Sequence, residues 1–148
     1  MFILENENIR VSVSAKGAEL QSMVYKKTGQ EFMWDGNPSV WAKHSPVLFP
    51  VVGTLKNNTY YFNDKEYQLP RHGFARDRQF ELCHQSNDTL SLVLKSDQET
   101  LKVFPFTFEF FIDYTIIDCT LSVSYRIINK GSSTMYFSVG GHPAFRVP

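Results

Sequence analysis

Two long strand-like runs, residues 106–117 and 121–129, meet near Asp118 and limit most firmly what this chain can fold into. Phenylalanine and β-branched residues, which suit a pleated and half-buried surface, crowd both runs. The chain holds 13 phenylalanines and is 15% aromatic, so most of it is expected to be sheet. Residues 9–14 alternate apolar and polar, the period of a half-buried strand. Further strands are expected at 19–25 and 32–34, at 60–62 and 66–69 around Asn63-Asp64-Lys65, at 80–84 and 90–95 around 85–89, and at 135–139. Residues 27–29, 35–38 and 130–133 read as turns. Pro46 and Pro50 make 40–53 an irregular, partly buried stretch. The one helical signal is a short turn at 98–102, capped by Ser96 or Asp97 and unable to continue past Pro105. Short strands with turns between them imply an all-β antiparallel sandwich or barrel, with 1–148 forming one domain or one piece of a domain.

Composition narrows the partners. The 15 basic and 15 acidic residues balance, so no basic excess draws in nucleic acid or an anionic membrane. No apolar run approaches the roughly 18 residues of a membrane span. The start, Met-Phe-Ile-Leu-Glu-Asn-Glu, lacks the basic region and apolar core of a signal peptide, so a cytoplasmic location is expected. Cys83 and Cys119 read as reduced, partly buried thiols. Neither a phosphate-binding glycine loop, a His/Cys zinc spacing nor a Gly-x-Ser-x-Gly elbow occurs, and no cofactor is expected. Strands could bring His72 and His142 together as metal ligands, but no third ligand declares itself, so no metal is expected.

The chemistry-bearing residues cluster in two places. Gly-Gly-His-Pro-Ala-Phe at 140–145 holds His142 between two glycines and a proline that favours an extended backbone before it. Histidine suits proton transfer near neutral pH. A histidine that merely ends a strand is the alternative. Residues 70–77, Pro-Arg-His-Gly-Phe-Ala-Arg-Asp, put His72, Arg71, Arg76 and Asp77 into one loop, where Gly73 lets the backbone approach a ligand closely. A solvated charged turn is the alternative there. His44, between Trp41 and Pro46, is a lesser candidate, and His84 reads as a surface or packing histidine.

These same segments resemble the aldose 1-epimerase (galactose mutarotase-like) family, in particular its LacX-like branch. Trp41 with Ser-Pro-Val-Leu-Phe-Pro-Val-Val-Gly at 45–53, the 69–77 loop, Phe-Pro-Phe at 104–106 with Phe108 and Phe110, and the run from Asn129 to Phe145 follow in the family's order. The resemblance implies a large antiparallel sandwich, the supersandwich, of which this chain is the N-terminal half. It implies interconversion of the α and β anomers of a free aldose by acid/base ring opening. His142 is similar to the family's general acid, which protonates the ring oxygen. His72 is similar to its second site histidine, which hydrogen-bonds the sugar. Arg76 and Asp77 are placed at that loop or the site rim, and Trp41 or Phe74 against the apolar face of the sugar.

The chain departs from the family pattern twice. The family's arginine after the Phe-Pro motif gives way to Thr54, Leu55 and Lys56. The family's general base is a glutamate from a second half of the fold, and no glutamate here lies in a segment matching that motif. Half a sandwich is expected to leave sheet edges and an apolar face uncovered. Three arrangements follow: a fragment of a longer enzyme, a short relative that pairs as a homodimer, or a separate chain supplying the C-terminal half. A non-catalytic carbohydrate-binding or regulatory sandwich is the alternative function, and an interaction module without sugar chemistry a third.

Overall fold

The computed structural model describes residues 1–147. Its first sheet is an antiparallel meander of β1 (Phe2–Glu5), β2 (Ile9–Val13), β3 (Leu20–Tyr25) and β4 (Gln30–Glu31). In β2 the alternation decides the facing: Ile9, Val11 and Val13 are buried and Arg10 is exposed. An irregular stretch leads to β5 (Val47–Leu48), then to a separate hairpin of β6 (Thr59–Phe62) and β7 (Lys65–Gln68). The second large sheet contains β8 (Glu81–Gln85), β9 (Thr89–Lys95), β10 (Phe108–Ile117) and β11 (Thr120–Asn129), in the order β11-β10-β9-β8. Between β9 and β10 lies α1 (Gln98–Val103). Asp97 caps it by accepting from the Thr100 amide, while Thr100 Oγ1 accepts from the Asp97 amide. β12 (Gly140–Gly141) pairs with β5.

One core joins both large sheets. Leu4, Val11 and Val13 from the first meet Leu90, Leu92, Phe108, Phe110 and Ile112 from the second. Tyr114 ties them by donating its hydroxyl to Ala18 O at 2.7 Å. At the centre sits fully buried Phe49, with the rings of Phe110, Phe108, Phe104 and Phe74 at 4.8, 5.2, 5.8 and 6.2 Å. Burying one such side chain stabilises the fold by about 1.5–3 kcal/mol.

The long hairpin is the most regular element, and its two strands differ in cover. Phe110, Ile112, Tyr114 and Ile116 of β10 are buried. Their register partners Ile127, Tyr125, Val123 and Leu121 of β11 share that face, yet Val123 and Tyr125 are 39% and 36% exposed. β11 is a sheet edge, and beside it a largely apolar hollow of about 470 Å³ is lined by Leu20, Tyr114, Leu121, Val123, Tyr125 and Phe145 among others. The uncovered edge and apolar face expected of a half sandwich are therefore present.

Three expectations need correction. The strand expected at 32–34 is reduced to a single antiparallel bridge, Met33 with Phe145, where the Trp34 amide donates to Ala144 O at 3.0 Å and the Arg146 amide to Phe32 O at 2.8 Å. The ladder with β3 stops at β4 because Glu31 Oε1 accepts from the Met23 and Met33 amides at 2.9 and 2.8 Å. Residues 135–139 form no strand. Ser138 N–H bonds Pro50 O at 2.9 Å and Phe137 lies on Phe49, so the run is laid along the core rather than paired. Both cysteines are exposed rather than partly buried: Cys83 lies on edge strand β8, and Cys119 in the turn between β10 and β11. No helix among the described residues is long and apolar enough to cross a membrane.

Candidate active site

The His72 loop is fastened to the centre of the core. The Phe49 amide donates to His72 O at 3.3 Å, and Phe49 O accepts from the Phe74 and Ala75 amides at 3.0 and 3.2 Å. This close approach requires glycine at position 73: its φ is +70°, and a Cβ there would stand 2.2 Å from Phe49 O. His72 itself has φ +68°, a conformation that costs a non-glycine residue about 1–2 kcal/mol. A reciprocal pair holds it there. The His72 amide donates to Gly53 O at 2.8 Å, and the Gly53 amide donates to His72 Nδ1 at 3.0 Å.

That second bond decides the tautomer. A backbone N–H has a fixed direction, so Nδ1 must be the acceptor and the neutral ring carries its proton on Nε2. Arg71 Nε lies 3.2 Å from this same Nε2. Both atoms then bear hydrogen, so the contact leaves the guanidinium beside the ring without a true acceptor. Burial, then the Arg71 and Arg76 charges and His142, hold the His72 pKa below the ordinary histidine value.

His142 arrives from the other side. Gly140 and Gly141 pair with Leu48 and Val47, and the His142 amide donates to Pro46 O at 3.1 Å. At Gly141 a Cβ would stand 2.7 Å from the Tyr125 hydroxyl, so a larger residue there would displace that side chain. The His142 ring is exposed and leans on Trp41, with ring centroids 5.3 Å apart and a 58° tilt. Trp41, Pro46, Leu48, Arg71, His72, Arg76 and His142 line one cleft of about 340 Å³. Three larger hollows elsewhere contain neither histidine.

The cleft thus gathers His72, His142, Arg76 and Trp41. Asp77 stands outside it, 3.6 Å from Arg76 Nε and 3.3 Å from Lys43 Nζ, where it steadies the loop's charges. The His44 ring lies over Gly36, away from the cleft, while its backbone carbonyl accepts from Ala144 at 2.8 Å. Among the described residues no cluster of three His, Cys, Asp or Glu side chains could hold a metal ion.

Arg71, which the sequence places in the charged loop, also lines the cleft. One participant escapes a reading of residue types alone. Glu19 is buried, and its Oε1 accepts from the His44 and Ser45 amides at 2.7 and 3.0 Å. It thereby anchors the stretch whose Pro46 carbonyl holds His142. A carboxylate one strand away carries no local signal for this in sequence.

Residues 1–148 match the protein family described as aldose 1-epimerase. The chain belongs to that family. Protein LacX, plasmid form, of Lactococcus lactis subsp. lactis is 29% identical over 151 residues, covering 98% of this chain and 50% of LacX. A galactose mutarotase related enzyme from Lactobacillus acidophilus superposes with a TM-score of 0.98 at 44% identity, covering 99% of this chain and 49% of that one. A galactose mutarotase-like protein from Lactobacillus casei gives a TM-score of 0.97 at 37% identity, with 100% and 50% covered. The fold is galactose mutarotase-like, and the chain spans about half the length of these relatives. It corresponds to the N-terminal half of the family.

Proposed function

We propose that this chain carries the acid and the sugar-binding side of an aldose 1-epimerase site, with His142 as general acid and His72 as hydrogen-bond donor. The observation that carries the reading is the convergence of both histidines on one cleft with Trp41 against His142. Ring opening of a cyclic aldose needs a base to take the anomeric hydroxyl proton and an acid to protonate the ring oxygen. The bond between the anomeric carbon and that oxygen breaks, the new aldehyde turns about the adjacent carbon–carbon bond, and reclosure on its other face gives the opposite anomer. An imidazole gives a proton and takes it back near neutral pH. Each positioned proton transfer accelerates the reaction roughly 10²–10⁴-fold. His72, presenting Nε2–H, suits a fixed donor to a sugar oxygen. Trp41 offers an aromatic surface to the sugar's C–H face.

The base is assigned to the rest of the fold, since no carboxylate lines the cleft among the described residues. Its natural place of attachment is the bare inner face of β11. Self-pairing through that same edge is the second reading. Sedimentation separates the two: a monomer leaves the face for another half, whereas a dimer abolished by Val123→Lys supports a second copy.

The reading of the site is tested by titrating the isotope-labelled chain with aldoses, neutral and phosphorylated, while following the His72 and His142 ring resonances. Saturable shifts of both rings are expected from at least one sugar. Unmoved rings in folded protein would remove the sugar site, and with it the alternative of a non-catalytic sugar binder.

A further inference from the structure

Trp41 brings the broadest aromatic face to the cleft, yet it sits in a segment with little framework of its own. Residues 35–43 form neither strand nor helix, and most of them are exposed. Their backbone hydrogen bonds are local, with Asn37 O accepting from the Val40 and Trp41 amides at 3.0 and 2.8 Å. Among the described residues two bonds leave the segment. Lys43 Nζ reaches exposed Asp77 at 3.3 Å, and Trp34 Nε1 donates to Trp41 O at 2.8 Å. An exposed ion pair restrains a backbone weakly, so the indole bond is the one that fixes Trp41.

Both ends of that segment close on one residue. The Trp34 amide donates to Ala144 O at 3.0 Å, and the Ala144 amide donates to His44 O at 2.8 Å. Between these two points the chain doubles back over the His44 ring. Gly36 has φ +70°, and a Cβ there would stand 2.4 Å from His44 Cε1. The result is a compact loop with its ends joined. Ala144 lies two residues past His142. Trp34 is therefore tied to both walls of the cleft: its backbone holds the His142 segment, and its side chain holds Trp41.

We infer that Trp34 is a positioning residue, its indole N–H holding Trp41 against His142. The consequence for a sugar rests on the sugar-site reading above. The His142 ring leans on the Trp41 ring, with centroids 5.3 Å apart, and Trp41 in turn hangs on Trp34. A sugar laid on Trp41 then meets the His142 imidazole at a fixed offset. Misplacement of a reacting group by about 1 Å costs ~10²-fold in rate, so that offset matters to proton transfer. Packing alone would need only the bicyclic ring of Trp34, whereas positioning needs its N–H. Without the N–H, Trp41 O turns to water and the loop loosens, while the bonds at Ala144 stay.

The test replaces Trp34 by benzothienylalanine, which keeps the bicyclic shape and puts sulfur where the N–H stood. Trp34→Phe is a second variant without the N–H, and fluorotryptophan at the same position is the control that keeps it. The first readout, in folded protein, is the ring-current displacement of the His142 ring protons, with Trp41→Ala as its zero. The second is calorimetric affinity for glucose and galactose. Loss of the N–H is expected to remove most of the displacement and to weaken sugar binding about three- to tenfold, the effect of one hydrogen bond. Fluorotryptophan should keep both, and the Nε2–H tautomer of His72 should stand in every variant. A displacement unchanged by benzothienylalanine overturns the inference and makes Trp34 a packing residue, whatever happens to stability. Displacement lost with affinity unchanged upholds the Trp34 bond and overturns Trp41 as the sugar's face. The ring-current readout needs no ligand, so it decides the inference even where wild type binds neither sugar, a result that counts against the sugar-site reading alone.

Discussion

His72 and His142 reach one cleft by opposite means. His72 sits on a loop fastened to Phe49, in a left-handed backbone conformation, with Nδ1 committed to the Gly53 amide and two arginines beside it. His142 rides on a two-residue strand, is exposed, and has no side-chain hydrogen bond among the described residues, only the tilted face of Trp41. One ring has its tautomer fixed and its basicity lowered, which suits a constant donor. The other keeps both nitrogens open, which suits a group that must lose and regain a proton. The difference teaches that a pair of histidines need not act as a pair: on the proposed reading, the surroundings divide the work.

The largest effect should separate the two roles. On the proposed reading, with the base supplied by the rest of the fold, His142→Ala is expected to lower the mutarotation rate of a freshly dissolved α-aldose about 10²–10⁴-fold while saturable sugar binding persists. Loss of binding in step with rate, measured by calorimetry beside polarimetry, would break the division and make His142 a binder too.

Next come the two supports, one for each histidine. Gly73→Ala forces a Cβ against Phe49 O at a positive φ and should destabilise the fold by about 2 kcal/mol or more in denaturant unfolding. The damage should fall on the His72 ring resonances before those of His142. Glu19→Ala strips the acceptor from the His44 and Ser45 amides, at a cost of about 1–3 kcal/mol. Here the His142 and Trp41 resonances should move first. The reverse pattern in either variant would show that the two supports are not separate.

The smallest effect is a pH dependence confined to one ring. A pKa lower in the folded than in the unfolded chain means that the unfolded chain binds more protons as pH falls. The stability linked to neutral His72 is therefore complete above the ordinary histidine value of 6.5 and declines as pH drops below it, towards the depressed folded pKa. Wild type should lose stability over that window relative to His72→Asn. Parallel curves for the two proteins would contradict the lowered basicity.

Much of the fold was legible because period-2 alternation carries burial directly. β2, β9 and β10 lie where apolar residues recur at every second position, and the Asp97 cap announces α1. The failures lie where backbone amides find partners outside a ladder. Glu31 takes the Met23 and Met33 amides, so the run after β4 leaves β3 and Met33 bridges to distant Phe145, and residues 135–139 are held by Pro50 O and by Phe49. No local pattern encodes either. Of the site, the His-Gly and Gly-Gly-His segments were readable as unusual backbone. The Gly53 bond that fixes His72, and the buried carboxylate of Glu19 beneath the Pro46 stretch, join residues 19 and 25 or more positions apart and appear only in three dimensions.

The most direct test of the divided roles is a long-range ¹H–¹⁵N spectrum of the histidine rings, followed from pH 8 downwards. The account predicts His72 as the Nε2–H tautomer, with Nδ1 hydrogen-bonded and protonation delayed to below the usual histidine pH. An Nδ1–H tautomer at neutral pH, or ordinary titration of His72, would contradict it.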